Sequence, residues 1–319
     1  MKQKLLHSVA KLFCLVFLTG VAMSSCKKTN MPPGAPKTIY QTISWDPQYS
    51  YLTAAVNKAG LIDALNARGK SELTLFAPDN NAFIAAGFKT LADLKAVPDT
   101  TLKAVLLYHV LGSAVAADQI PLAANTPVNT LNGKPVYVTR TSAGKVFVNG
   151  VSVVKANIEC TNGIIHGINR VLIPSVGNIV QTAVANPNLS LLVTAVLRAS
   201  QGSTNVAAVL SSAGPFTVFA PTNQAFMNAG FANAAVINAA DPNTLTSILT
   251  YHVLSGRIFS SDLSEGLKPA TVNGKTVTIS LKNGPTVKGL GNRTPSNIIQ
   301  TDIVADNGVV HVIDQVLLP

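Results

Sequence analysis

"LTLFAPDNNAF" (residues 73–83) returns further along the chain as "FTVFAPTNQAF" (residues 216–226). Phe76-Ala77-Pro78 becomes Phe219-Ala220-Pro221, a shift of 143. Working outward, Tyr108-His109-Val110-Leu111 becomes Tyr251-His252-Val253-Leu254 at the same shift. Asn162-Gly163 with His166, and then Pro174, recur as Asn307-Gly308 with His311, and Pro319, shifted by 145. Landmarks that keep their order while the offset drifts by two mark a tandem duplication. The period is too long for a solenoid repeat, and each copy is large enough to own a core.

Both copies carry the same series of local signals. Helical patterning opens them, in "YLTAAVNKAGLIDAL" and "LSLLVTAVLRA". A strand at 73–76 or 216–219 follows, and Pro78 or Pro221 is expected to stop it, because proline has no N–H for a ladder. Asp79 and Thr222 are candidate N-caps of a short helix carrying Phe83 or Phe226, and Gly87 and Gly230 suit its end. Leu102, Val105, Leu106, His109 and Val110 fall at i, i+3, i+4, i+7 and i+8, as do Leu245, Ile248, Leu249, His252 and Val253. That is one apolar helical stripe, with Asp99 or Asp241 as its cap and Gly112 or Gly256 as its stop. "TLNGKPVYV" and "TVNGKTVTI" read as hairpins turning at Asn132-Gly133 and Asn273-Gly274. Short strands close each copy, in "NGIIHGINRVLIP" and "NGVVHVIDQVLLP". Helices in front and strands behind argue an α+β domain.

The first residues have another purpose. Lys2, Lys4 and Lys11 precede an apolar run from Leu12 to Met23, too short for an ordinary membrane span and suited to an export signal. The ending Met23-Ser24-Ser25-Cys26 resembles a bacterial lipobox, which implies cleavage before Cys26 and lipid on its sulfur. "KKTNMPPGAPK" (residues 27–37) then reads as an extended spacer. The expected division is a signal at 1–25, a lipidated cysteine and Pro-rich tether at 26–39, and domains at 40–174 and 175–319.

Of 319 residues, 47% are apolar and 12% charged, ample material for two cores. Loss of residues 1–25, with three lysines and no acids, lowers the formal charge from +10 to +7. There is no long basic run and aromatics make up 6%, which argues against nucleic acid as a partner. Cys14 leaves with the signal and Cys26 takes the lipid, so Cys160 stands alone, with no disulfide framework.

The motifs "TLFAPDNNAF … LLYHVL … NGIIHGINRVLIP" and "TVFAPTNQAF … ILTYHVL … NGVVHVIDQVLLP" resemble the fasciclin (FAS1-like) domain family, over about residues 40–319. The resemblance implies an α+β domain built as a wedge of two β-sheets with helices packed along one side. It implies proteins that are secreted or surface-attached, many of them in cell adhesion or matrix contact, without typical enzymatic activity. Phe76, Pro78, Tyr108, His109, His166, Phe219, Pro221, Tyr251, His252 and His311 correspond to family landmarks, with a structural role expected. Gly167 and Asn169 depart from Val312 and Asp314 in the second copy, so the last strand of the first is expected to be looser.

Packing accounts for the residues that suggest chemistry. His109 and His252 lie on an apolar stripe, and His166 and His311 lie in strands, positions where imidazoles usually bond to backbone. A metal site wants a third protein ligand, and none accompanies both pairs at matched positions. Only Asp99/Asp241 and Asp118/Asp262 align among the acids, in cap or turn settings, so neither copy keeps a carboxylate pair for acid–base work. No G-x-S-x-G elbow occurs. The expectation is a noncatalytic protein without a cofactor, held to a membrane by its N-terminal lipid and facing an unidentified protein or glycan. The competing reading is a periplasmic module that binds, or acts on, a small ligand or a cell-wall sugar in one domain.

Overall fold

The computed structural model describes residues 37–67, 69 and 72–319. The expected export signal, Cys26 and the tether up to residue 36 lie outside these residues.

The first copy runs α1 (Ile39–Trp45), α2 (Ser50–Lys58), α3 (Ile62–Asn66), β1 (Leu73–Pro78), α4 (Asn80–Ala85), α5 (Leu91–Ala96), α6 (Asp99–Tyr108), β2 (Val110–Leu111), β3 (Thr126–Asn129), β4 (Pro135–Arg140), β5 (Val146–Val148), β6 (Val151–Cys160) and β7 (Gly163–Ile168). The second runs α7 (Ile179–Val184), α8 (Ser190–Ala199), α9 (Val206–Ser211), β8 (Phe216–Pro221), α10 (Asn223–Asn228), α11 (Ala234–Ala239), α12 (Pro242–Tyr251), β9 (Val253–Ser255), β10 (Thr278–Ser280), β11 (Thr286–Lys288), β12 (Ser296–Ala305) and β13 (Gly308–Ile313).

The first sheet is ordered β2-β1-β7-β6-β5-β4-β3, and the second β9-β8-β13-β12-β11-β10. An extra bridge, Leu111 to Thr130 or Leu254 to Thr271, ties the far end of each sheet back to its first edge. Each wedge is therefore one sheet curled on itself. The long strands β6 and β12 bend through register shifts, as bulged strands do.

The repeated motif lies at the middle of this arrangement. β1 pairs in parallel with β7 from Leu73↔Gly163 to Pro78↔Ile168, and β8 pairs with β13 in the same way. A strand buried on both faces alternates between two cores. Leu75 and Ala77 enter the core beneath the helices, with Leu52, Phe83 and Ile165. Phe76 enters the core inside the curl, with Tyr108, Val136, Val148 and Ile168. Val218 and Phe219 divide between the two cores of the second copy likewise.

Close approach explains the paired glycines. A Cβ on Gly163 would lie 2.0 Å from the Leu73 carbonyl oxygen, and one on Gly308 2.2 Å from that of Phe216. The neighbouring asparagines knit each sheet to its helices. Asn162 accepts from Ile39 N and donates to the Leu65 carbonyl, and Asn307 accepts from Ile179 N and donates to that of Leu210.

Several local expectations need correction. Pro78 and Pro221 are the last residues of their strands, because that position needs no proline N–H. The striped helices end at Tyr108 and Tyr251, with His109 and His252 as C-caps and Val110 and Val253 already in strands. Asp241 caps its helix through Thr244 N, but Asp99 is the first residue of α6, follows a Pro98 cap and pairs with Lys58 at 2.9 Å. The last strand of the first copy is not loose. β7 keeps six residues of parallel pairing, and a Cβ on Gly167 would lie 2.9 Å from the hydroxyl of buried Tyr49. The second copy has Leu189 where the first has Tyr49, and Val312 where it has Gly167, so the same space is filled from opposite sides.

Candidate functional site

The four histidines among the described residues are each saturated by main chain. At the end of α6, His109 Nδ1 is 2.8 Å from the Val105 carbonyl, and Nε2 accepts from Leu172 N at 2.9 Å. His252 repeats this with the Ile248 carbonyl and Leu317 N, both at 2.8 Å. Accepting at Nε2 fixes the neutral tautomer, with Nδ1 as donor. Burial pushes both rings down to about 4. In the strands, His166 Nε2 meets the Val115 carbonyl and Nδ1 accepts from Asn157 N. His311 meets the Ile258 carbonyl and Asp302 N in the same way. Burial lowers both of these rings as well. His166 and His311 lie 5.8 Å from Phe76 and Phe219, ring to ring.

The tyrosines are bound in a similar way. Tyr108 donates to the Pro135 carbonyl and accepts from Asn149, and burial pushes its phenol up to about 12. Tyr251 donates to the Thr276 carbonyl and accepts from Leu290 N. Among the described residues, no group of three His, Cys, Asp or Glu side chains is placed to hold a metal ion. Cys160 is half-buried, its Sγ 3.3 Å from the Thr42 hydroxyl, and burial pushes the thiol up.

Polar and charged side chains of the two copies meet at the seam between them. Arg170, just beyond β7, reaches into the second copy. Its guanidinium donates to the Asp302 carboxylate at 3.1 Å and to the Thr301 hydroxyl and carbonyl. The Asp302 side chain is 1% exposed and also accepts from Ser260 N and the Ser260 hydroxyl. Asp302 has φ +65°, at a bulge of β12, and Asn157 has φ +57° at the matching point of β6. Asn157 caps Ala117 N within its own domain, whereas the carboxylate at 302 keeps that kind of bond and adds the cross-domain pair.

Other contacts extend the seam. Asn125 donates to the Arg257 carbonyl and the Asp262 carboxylate, both at 2.9 Å. The Arg257 guanidinium lies 4.0 Å from the ring centre of Tyr137, which packs in turn on buried Phe259. Lys134 pairs with Asp306 at 3.0 Å, and Ser175 donates to the same carboxylate. These donors, the Ser175 hydroxyl first, hold Asp306 below the usual carboxylate range. Gly150 (φ +77°) leaves room for the seam, since a Cβ there would lie 2.8 Å from the Asp302 carboxylate. Where Asn125 meets Asp262, the seam opens into a hollow of about 610 Å³ lined also by Arg140, Ser142 and Arg257 among others.

None of Arg170, Asn125, Lys134, Tyr137, Arg257 or Asp306 stands out in the sequence. One signal was available, the exchange of Asn157 for Asp302 at a position otherwise alike in both copies.

Comparison with known proteins finds a Fasciclin domain at residues 47–174 and another at 188–319. "Transforming growth factor-beta-induced protein ig-h3" of Sus scrofa is 28% identical over 253 residues, covering 79% of this chain and 35% of that protein. "Periostin" of Homo sapiens is 28% identical over 253 residues, covering 79% and 29%. "Uncharacterized protein sll1735" of Synechocystis sp. is 40% identical over 141 residues, 44% of this chain and 97% of that protein. The chain spans about a third of the length of the first two relatives. A solved FAS1 domain pair from the insect cell adhesion molecule Fasciclin I aligns over 84% of this chain and 96% of its own, at 20% identity and a TM-score of 0.41.

Proposed function

The chain belongs to the fasciclin domain family, and on that premise we propose a noncatalytic interaction protein of a bacterial envelope. A lipid on Cys26 anchors it, and its paired domains meet a protein or glycan in adhesion or envelope organisation. One observation carries the reading. The Tyr and His side chains that both copies share are consumed by the chain's own backbone. The charged groups that differ between them, Arg170 and Asp302, pair with each other across the domain seam, and the seam also opens into a hollow lined by Asn125, Arg140, Arg257 and Asp262 among others. The apolar run and Met23-Ser24-Ser25-Cys26 supply the export and anchoring part. No helix among the described residues is long and apolar enough to cross a membrane.

Cys26→Ser should move the protein from the membrane fraction to the soluble fraction. The labelled soluble chain should bind intact cells, envelope protein or glycan saturably, and Arg140→Glu in the hollow should weaken that binding at least tenfold. Equal membrane retention of Cys26→Ser would remove the anchor. Absence of saturable binding to every surface tried would remove the interaction role.

A further inference from the structure

Another difference between the copies lies beneath the helices of the second. In the second copy a cavity of about 120 Å³ lies between α7, α8 and α12 on one side and β8 and β13 on the other. Residues a fixed 140 positions apart show how it arises. Buried Ile43 in α1 is replaced by Ala183 in α7, which lines the cavity. Above that point the first copy has Tyr40, whose hydroxyl donates to Asn57 at 2.9 Å and closes α1 onto α2. The second copy has Val180 and Leu197 at those two positions, and both line the cavity. Ser44 and Thr53 likewise become Val184 and Val193. Truncating an isoleucine opens a void, and exchanging a bonded lid for short aliphatics leaves its mouth apolar.

The lining offers no polar handle. His252 is the one residue of the cavity wall with side-chain nitrogen, and both ring nitrogens are already committed to Ile248 and Leu317. A wholly apolar cavity of roughly 150 Å³ in another protein stays dry and takes up benzene. Water gains nothing from entering such a space, while hydrocarbon gains by leaving water for it. The mouth residues Val184 and Leu197 are 63% and 57% exposed, an apolar rim that continues the lining to the surface.

We infer that the second domain holds a site for an unbranched aliphatic chain, whose end enters beside Ala183 while any polar head stays in water beyond Val184 and Leu197. The lining is of branched aliphatics, with no charge to pair with a head group. The site therefore selects hydrocarbon over a particular head. This binding goes beyond the contact function proposed above and stands without it.

The test uses the full mature chain with Cys26→Ser, so that its own lipid is absent, and 1-octanol as probe, followed by methyl NMR. Saturable shifts are expected at Val180, Ala183 and Leu197, with Ile43 of the first domain unmoved. Ala183→Ile should abolish them without lowering the melting temperature. A second variant, Val180→Tyr with Leu197→Asn, rebuilds the lid of the first copy and should weaken octanol binding at least tenfold. Unsaturable shifts, equal shifts at Ile43, or shifts unchanged in both variants would overturn the site. So would shifts produced by raising protein concentration alone, which would assign the mouth to a second copy of the chain.

Discussion

At the scale of the residue, the buried histidines decide how the protein meets acid. His109 and His252 accept a backbone N–H at Nε2, so a proton added there must evict a hydrogen bond as well as bring charge into an apolar core. Their folded values of about 4 lie below the ordinary imidazole value near 6.5. A depressed value means that the unfolded chain binds the proton first. The stabilisation is thus complete above about pH 6.5 and drains away as pH falls towards 4. At roughly 1.4 kcal/mol per pH unit, acidification from neutral pH to 4 withdraws on the order of 3 kcal/mol of stability per ring. His252→Phe keeps a ring but strands the Ile248 carbonyl and Leu317 N–H, at a cost of about 2 kcal/mol or more at pH 7. In urea melts, the gap between wild type and this variant should narrow as pH falls from 7 to 4. A gap independent of pH would show that the proton is not what the fold excludes.

At the scale of the element, hairpins and caps were largely legible, because their causes are local. Gly133 and Gly274 have φ +87° and +92° at the turns where Asn-Gly was read, and Asp79 and Thr222 cap their helices. Helix ends were harder to read. The apolar stripe continues through His109 and Val110, and only the return of the chain into β2 reveals the break after Tyr108. The meaning of Gly167 was also hidden, since its partner Tyr49 lies more than a hundred residues earlier. β7 and the turn before α2 share one volume, filled by Tyr49 in the first copy and by Leu189 with Val312 in the second. Gly167→Val should therefore overpack and cost about 1–3 kcal/mol. Adding Tyr49→Leu should recover most of that loss in a double-mutant cycle of denaturant melts. Simple additivity of the two losses would show that they do not share the space.

At the scale of the whole molecule, the duplication was visible from repeated letters, while the seam was not. Its contacts join residues such as 125 with 262 and 170 with 302, each with at least one member where the copies differ. A comparison of repeats finds what is common and passes over what was added. The Arg170–Asp302 pair is unequal, with an Asp302 side chain 1% exposed and an Arg170 side chain 42% exposed. Arg170→Gln leaves a buried carboxylate without its cation, whereas Asp302→Asn restores the group its twin Asn157 uses and leaves only a surface-reaching arginine. The first should cost more, up to about 3 kcal/mol, and the second under about 1 kcal/mol. Arg170→Gln should also split the melt into two steps as the domains uncouple, which calorimetry would register. A single transition of unchanged height in that variant would mean that the seam carries no coupling.

The parallel grip of β1 by β7, and of β8 by β13, has a consequence for synthesis. The strand that holds β1 or β8 inside its sheet is the last of its copy to be made. A nascent copy cannot close until its final stretch has left the ribosome. A premature stop near residue 307 would take away the middle of the second domain, although it removes only about a dozen residues.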